Sequence, residues 1–320
     1  LDPKQLKVLD VLPADQRNTT VHEWFVSPAE QLEPPKTREE LESLREKWLT
    51  ELKEKSFGGW TKSPPPLDPK CVFESEADRI KFQVIEYTSN ENLRLSIYLA
   101  RSTDFQNPPT AVVRVLDDEV WNEWLGSVGF SYGNVVPDAR SVEVNEPAFK
   151  AFVGFLKPRN FFWVFVPPRG NCVNRWNPDT KKDTQIQRRF ALLGETTDDG
   201  RVWDVCRAID AIKELEGNTE LTVTLQAKGR SAGIALYAGL LRPDILRFDL
   251  DAPSSSHRNG PYMLNVLRIL DMPQAAALAF PRPVFLYDTD PALWQWTEAV
   301  AKLYKGEDGK RVFHLLKNDK

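Results

Sequence analysis

The chain has 320 residues, 41% of them hydrophobic and 28% charged, enough to bury one large core. A net charge of −4 gives no reason to expect nucleic acid or an anionic membrane as a partner. No apolar run approaches the length of a membrane span, and the first residues lack the pattern of a signal peptide. Cys71, Cys172 and Cys206 are too few and too scattered for a disulfide framework or a zinc site.

Residues 1–68 read as an N-terminal extension and residues 69–320 as the main domain. Within the extension, Thr37-Arg38-Glu39-Glu40 is a capping-box-like helix start. The helix it predicts runs to about Lys55, with Leu41, Leu44, Trp48, Leu49 and Leu52 on one face that needs cover. Ser63-Pro64-Pro65-Pro66 then forms a stiff linker. Ile80–Tyr87 and Asn92–Ala100 alternate around Ser89-Asn90-Glu91 and predict a hairpin.

Further strands are expected at Thr110–Leu116, Phe161–Val166, Leu221–Ala227, Ile245–Leu250, Pro283–Tyr287 and Arg311–Leu316. Helices are expected at Asp204–Leu215, Ala232–Leu241, Met263–Ala279 and Pro291–Lys305. An antiparallel hairpin followed by this alternation predicts an α/β fold: a mostly parallel central sheet, helices on both faces and a helical N-terminal extension. In such sheets the site lies beyond the carboxyl ends of the strands.

Gly229-Arg230-Ser231-Ala232-Gly233 sits between the strand ending at Ala227 and an alanine-rich helix. Strand, sharp turn and helix form the setting in which G-x-S-x-G builds a nucleophile elbow. Ser231 is the expected nucleophile, with the Ala232 amide as an oxyanion donor. A serine needs a base, and the base needs an orienting acid.

Three histidines are available. His22 lies in the extension, and His314 falls late in the chain but inside the last predicted strand. His257 lies in a loop after Ile245–Leu250, at the edge where Ser231 should emerge. His257 is the preferred base, with His314 in reserve. Asp288 and Asp290 follow the strand Pro283–Tyr287 and serve either as the acid or as helix caps; Asp249 and Asp251 are alternatives beside His257.

The loop after Thr110–Leu116 carries Asp117-Asp118-Glu119, whose charge opposes a developing oxyanion. Arg169 and Arg230 can offset that charge or bind an acidic group. Ten tryptophans is a high count for this length, and Trp121, Trp124, Trp176, Trp294 and Trp296 fall in loops or at helix starts. Most are expected to fill core. Trp121, Trp124 and Trp176 are the candidates for stacking on sugar rings. There is no H-x-H, C-x-x-C or glycine-rich phosphate loop, so no metal or organic cofactor is expected.

The elbow and its helix resemble the α/β-hydrolase superfamily. The segments 112–125, 188–212 and 256–288 resemble acetyl xylan esterases and prolyl-oligopeptidase-like hydrolases of planctomycete-type bacteria. The resemblance implies an α/β-hydrolase fold and ester hydrolysis on acetylated polysaccharides or small esters, in an extracellular or periplasmic setting. It also implies an alternative: a degenerate second hydrolase domain that binds carbohydrate or plays an architectural part beside a covalently linked N-terminal catalytic domain. A start at Leu1 without methionine fits that expectation.

Overall fold

In a computed structural model of the chain, the described residues are 2–21, 33–177, 179–304 and 311–317. Among them nine strands form one sheet. They are β1 (Lys70–Ala77), β2 (Ile80–Asn90), β3 (Leu93–Ser102), β4 (Thr110–Val115), β5 (Phe162–Val166), β6 (Thr222–Lys228), β7 (Ile245–Asp251), β8 (Val284–Tyr287) and β9 (Phe313–Leu316). Their spatial order is β1-β2-β3-β5-β4-β6-β7-β8-β9. The predicted hairpin is present, with Tyr87 opposite Leu95. From β4 onward every neighbour pair, β4 with β5 included, is parallel.

Side-chain alternation divides the sheet between two cores. Ala111, Val113, Val115, Val164 and Val166 face a main core with helices α1 (Arg38–Lys55), α5 (Thr197–Glu216), α6 (Arg230–Leu240), α7 (Met272–Ala277) and α8 (Gln295–Ala301). Leu116 and Phe165 face a second core with helices α2 (Asp118–Ser127) and α3 (Glu146–Leu156). Helix α4 (Thr180–Leu192) lies between β5 and α5 in the chain.

Thr37 caps α1 as its sequence predicts, accepting from the Glu40 amide at 3.2 Å, while Glu40 accepts from the Lys36 amide at 2.7 Å. Leu41, Trp48 and Leu52 bury the apolar stripe in the main core, each side chain worth about 1.5–3 kcal/mol. Trp48 meets Trp296, and the Arg45 guanidinium donates to the Leu278 and Phe280 carbonyls. This helix is therefore continuous with the body.

Two predicted helices are shorter than their apolar patterns suggested. Met263–Ala279 reduces to a short 3-10 turn and α7, because Asp271 caps at Met272 with Pro273 in the first turn. Pro291–Lys305 divides into 3-10 turns around α8, and Lys305 lies outside the described residues. Strand β1 and helices α2, α3 and α4 were not foreseen.

Candidate functional site

The sharp turn between β6 and α6 falls on Gly229. Strand β6 continues through Lys228, which pairs with Asp251, and the Gly229 amide donates to the Asp251 carbonyl at 2.9 Å. Gly229 has φ 57° and ψ −129°, a conformation strained for any residue with a Cβ, and α6 starts at the next residue. In a nucleophile elbow the serine itself occupies that turn. Here Ser231 lies two residues farther on, inside the first turn of the helix. A Cβ built on Gly229 would sit 3.3 Å from Glu119 Oε2.

Ser231 is buried, and its hydroxyl donates to Asp117 Oδ2 at 2.9 Å. Asp117 is the N-cap of α2, its Oδ1 accepting from the Glu119 and Val120 amides at 3.1 and 3.3 Å. The expected oxyanion loop is thus a helix start, where acidic residues complement the exposed amides and the helix dipole. Asp118 accepts from the Cys172 amide at 2.7 Å and pairs with Arg175 at 2.6 Å. The Ala232 amide, expected as an oxyanion donor, donates instead to the Gly229 carbonyl at 3.2 Å.

Neither described histidine meets Ser231. Buried His257 places Nε2 2.8 Å from the Tyr237 hydroxyl and Nδ1 2.7 Å from the Pro261 carbonyl oxygen. A carbonyl only accepts, so Nδ1 carries the proton and Tyr237 donates to Nε2. Burial lowers the pKa of this ring, against the Pro261 hydrogen bond and the charges of Asp271 and Asp198. His314 stacks flat on Phe285 at 4.1 Å, its Nε2 directed at the Arg311 carbonyl. His22 lies outside the described residues.

The expected acids are equally separate. Asp290 caps a 3-10 turn through the Ala292 amide at 2.9 Å. Asp288 follows β8 with φ 49°, its amide donating to the Leu316 carbonyl at 3.0 Å. Asp249 pairs with Arg247, and Asp251 with Lys228.

A cavity of about 320 Å³ opens at the carboxyl ends of the strands, beside Ser231. Its wall includes Asp117, Asp118 and Glu119, the arginines 175, 201 and 230, and the amides Asn171, Asn177 and Gln187. Fully buried Asp198 organises the positive side. It binds Arg201 at 2.8 Å, Arg230 at 2.5 and 3.0 Å, and the Tyr262 amide at 2.6 Å. Arg230 therefore reaches the cavity already paired.

Arg169, expected to face a ligand, is locked in the interior. Its Nε and a terminal nitrogen donate to Asp204 at 2.9 and 2.7 Å, and its amide to the same carboxylate at 2.9 Å. Burial opposes its charge, and Asp204 more than offsets that, so the pKa is raised. Asp204 also accepts from Ser89 Oγ at 2.5 Å.

Trp121 and Trp124 are buried in the second core and stacked on each other at 4.8 Å, so neither offers a free face to a sugar. Trp176 keeps 37% exposure; it stacks on Phe190 at 5.5 Å and lies behind Gly170 in the cavity wall. Sequence reasoning missed Asp198 and Asp204. Asp204 opens the predicted helix Asp204–Leu215 and Asp198 lies before it, in a helix that begins earlier than predicted, at Thr197; a sequence does not show which arginine each would meet. Cys71, Cys172 and Cys206 are free thiols. Among the described residues no cluster of His, Cys, Asp or Glu is arranged to hold a metal ion, and no helix is long and apolar enough to cross a membrane.

No protein-family model matches the sequence, and no curated protein does. Solved structures do. A candidate acetyl xylan esterase from Bacteroides fragilis superposes with a TM-score of 0.65 at 12% identity, covering 97% of this chain and 84% of that one. The glucuronoyl esterase from Solibacter usitatus gives 0.55 at 10% identity, with 86% of each chain covered. Acetyl xylan esterase 1 from Thermoanaerobacterium sp. gives 0.50 at 11% identity, covering 89% and 90%. At such identities the likeness establishes architecture. With its antiparallel hairpin leading into a parallel sheet covered on both faces, this chain has the α/β-hydrolase fold.

Proposed function

We propose that this protein is a hydrolase-fold domain that binds a glycan fragment at the carboxyl edge of its sheet without cleaving it. The observation that supports this reading is the turn at Gly229. The position where an elbow presents its nucleophile has no side chain, and the nearby serine hydroxyl is hydrogen-bonded to a helix-capping carboxylate. Nucleophilic catalysis needs a base on the attacking hydroxyl, and no imidazole bonds Ser231 among the described residues.

The ligand class follows from the cavity wall. Carboxylates, guanidiniums and amides together offer both donors and acceptors, which suits a ligand bearing many hydroxyls. The similar solved structures include acetyl xylan and glucuronoyl esterases, which makes ester-substituted plant glycans the first ligands to try.

One observation favours a second reading, serine ester hydrolysis: Ser231 lines the cavity at the carboxyl ends of the strands. Labelling with a fluorophosphonate probe and turnover of p-nitrophenyl acetate, each compared with Ser231→Ala, separate the two. The binding reading expects no Ser231-dependent labelling or turnover, together with a saturable change in tryptophan fluorescence on titration with acetylated xylo-oligosaccharides. Serine-dependent labelling would overturn it in favour of the esterase. A flat titration without labelling would remove both readings.

A further inference from the structure

A second cavity, about 350 Å³, lies between strands β4 and β5 and helices α2 and α3, and shares no wall residue with the first. Its walls are aromatic: Trp124, Phe152, Phe155, Trp163 and Phe165. In β4, Ala111, Val113 and Val115 point to the main core, and Arg114 falls on the opposite face, where it lines this cavity.

Arg114 is half-buried and has no hydrogen-bonding partner among the described residues. Glu123, Asp251 and Asp117 act on it only through space. Desolvation lowers its pKa, but a guanidinium keeps its charge at neutral pH. The indole N–H groups of Trp124 and Trp163, residues of the same wall, also lack acceptors among the described residues. A guanidinium partly withdrawn from water, with carboxylates near it but none hydrogen-bonded to it among the described residues, leaves its donors unsatisfied until an acceptor meets them. The other arginines of the interior are paired with carboxylates or carbonyls, Arg169 and Arg201 among them.

We propose that this cavity binds a small aromatic monocarboxylate, with its carboxylate on Arg114 and its ring against Phe152, Phe155 and Trp163. Each part of that description answers a feature of the wall. The planar fork of a guanidinium matches a carboxylate in two parallel hydrogen bonds. Aromatic walls reward a ring over an inorganic ion. Glu123 at the exposed rim repels any anion, and a phosphate dianion more than a monocarboxylate, which disfavours phosphate. The Arg159 guanidinium lies over the Phe155 ring, 3.7 Å from its centroid, and adds positive charge beside the aromatic wall.

Calorimetric titration of the full chain with benzoate and cinnamate tests this, with benzyl alcohol (ring without charge) and inorganic phosphate (charge without ring) as comparisons. Both carboxylates should bind saturably and more tightly than either comparison compound. Arg114→Met should weaken them about ten- to hundredfold, with Arg114→Lys between. Phe155 is 43% exposed, so Phe155→Ala should fold and still weaken binding; it carries the test should Arg114→Met not fold. The site is refuted by the absence of saturable heat with the carboxylates, by equal binding of benzyl alcohol or phosphate, or by unchanged affinity in the folded variants.

Discussion

Ser231 and Asp117 form a hydrogen bond of 2.9 Å across the mouth of the sheet, joining the first turn of α6 to the N-cap of α2. The pair ties together the helices that follow β6 and β4. It uses up the hydroxyl that the pentapeptide pattern marks as a nucleophile, and it gives the acidic run after β4 a structural purpose.

That purpose has a measurable size. Ser231→Ala removes one buried hydrogen bond and should cost about 1 kcal/mol in urea denaturation. Asp117→Ala removes the same bond plus a helix cap, which alone is worth about 0.5–2 kcal/mol, and should cost clearly more. Equal costs for the two would mean that Asp117 does not cap α2.

The turn makes the opposite demand. Gly229 holds φ 57° and ψ −129°, and a side chain there would bear the strain of that backbone, about 1–3 kcal/mol. Gly229→Ala should therefore destabilise by that amount, and Gly229→Ser comparably. The serine variant puts a hydroxyl at the elbow position without supplying a base. It is expected to stay inactive on p-nitrophenyl acetate, and rapid turnover would reveal a general base that the present contacts do not show.

The framework of this site was legible in the sequence and its chemistry was not, for reasons that particular residues make plain. Alternation of β-branched residues located the hairpin and the strands from Thr110 to Tyr287, because a half-buried or buried strand leaves a period or a run. G-x-S-x-G misled by two residues, since the pattern does not say which glycine takes the positive φ. The cue was Lys228, which continues the alternation of β6 past Ala227 and moves the turn to Gly229. Asp117-Asp118-Glu119 looked like a hostile oxyanion loop, although an acidic run before Val120 and Trp121 is also a helix start. Whether Trp121 and Trp124 face water, and which carboxylate holds Arg169, depend on elements far apart in the chain.

Asp204 offers the sharpest test of the buried network. It is the counter-charge for Arg169, with side chains 0% and 7% exposed. Asp204→Ala leaves a guanidinium buried and uncompensated and releases Ser89, so about 3–5 kcal/mol should be lost. Replacing both partners with apolar residues should recover part of that loss, which a double-mutant cycle measures.

Protonation of His257 should couple stability to pH. Burial holds its pKa below the ordinary value, and its only acceptor nitrogen takes the Tyr237 hydroxyl. In the unfolded chain a histidine titrates at about 6.5. Above that pH both states hold the neutral ring and its contribution is complete. Below it the unfolded chain takes up a proton that the folded protein resists, so stability falls, by at most about 1.4 kcal/mol per pH unit, until the folded pKa is reached. Asp199 works the other way: burial raises its pKa from 3.8 to about 7, so its contribution is full below the unfolded value and is lost as pH rises through about 7. The two effects overlap in the wild type, and the difference between wild type and His257→Gln isolates the histidine. The stability advantage of the wild type in urea denaturation should shrink between about pH 7.5 and 5.5. An advantage that stayed constant over this range would show that the ring at His257 is not held neutral by the fold.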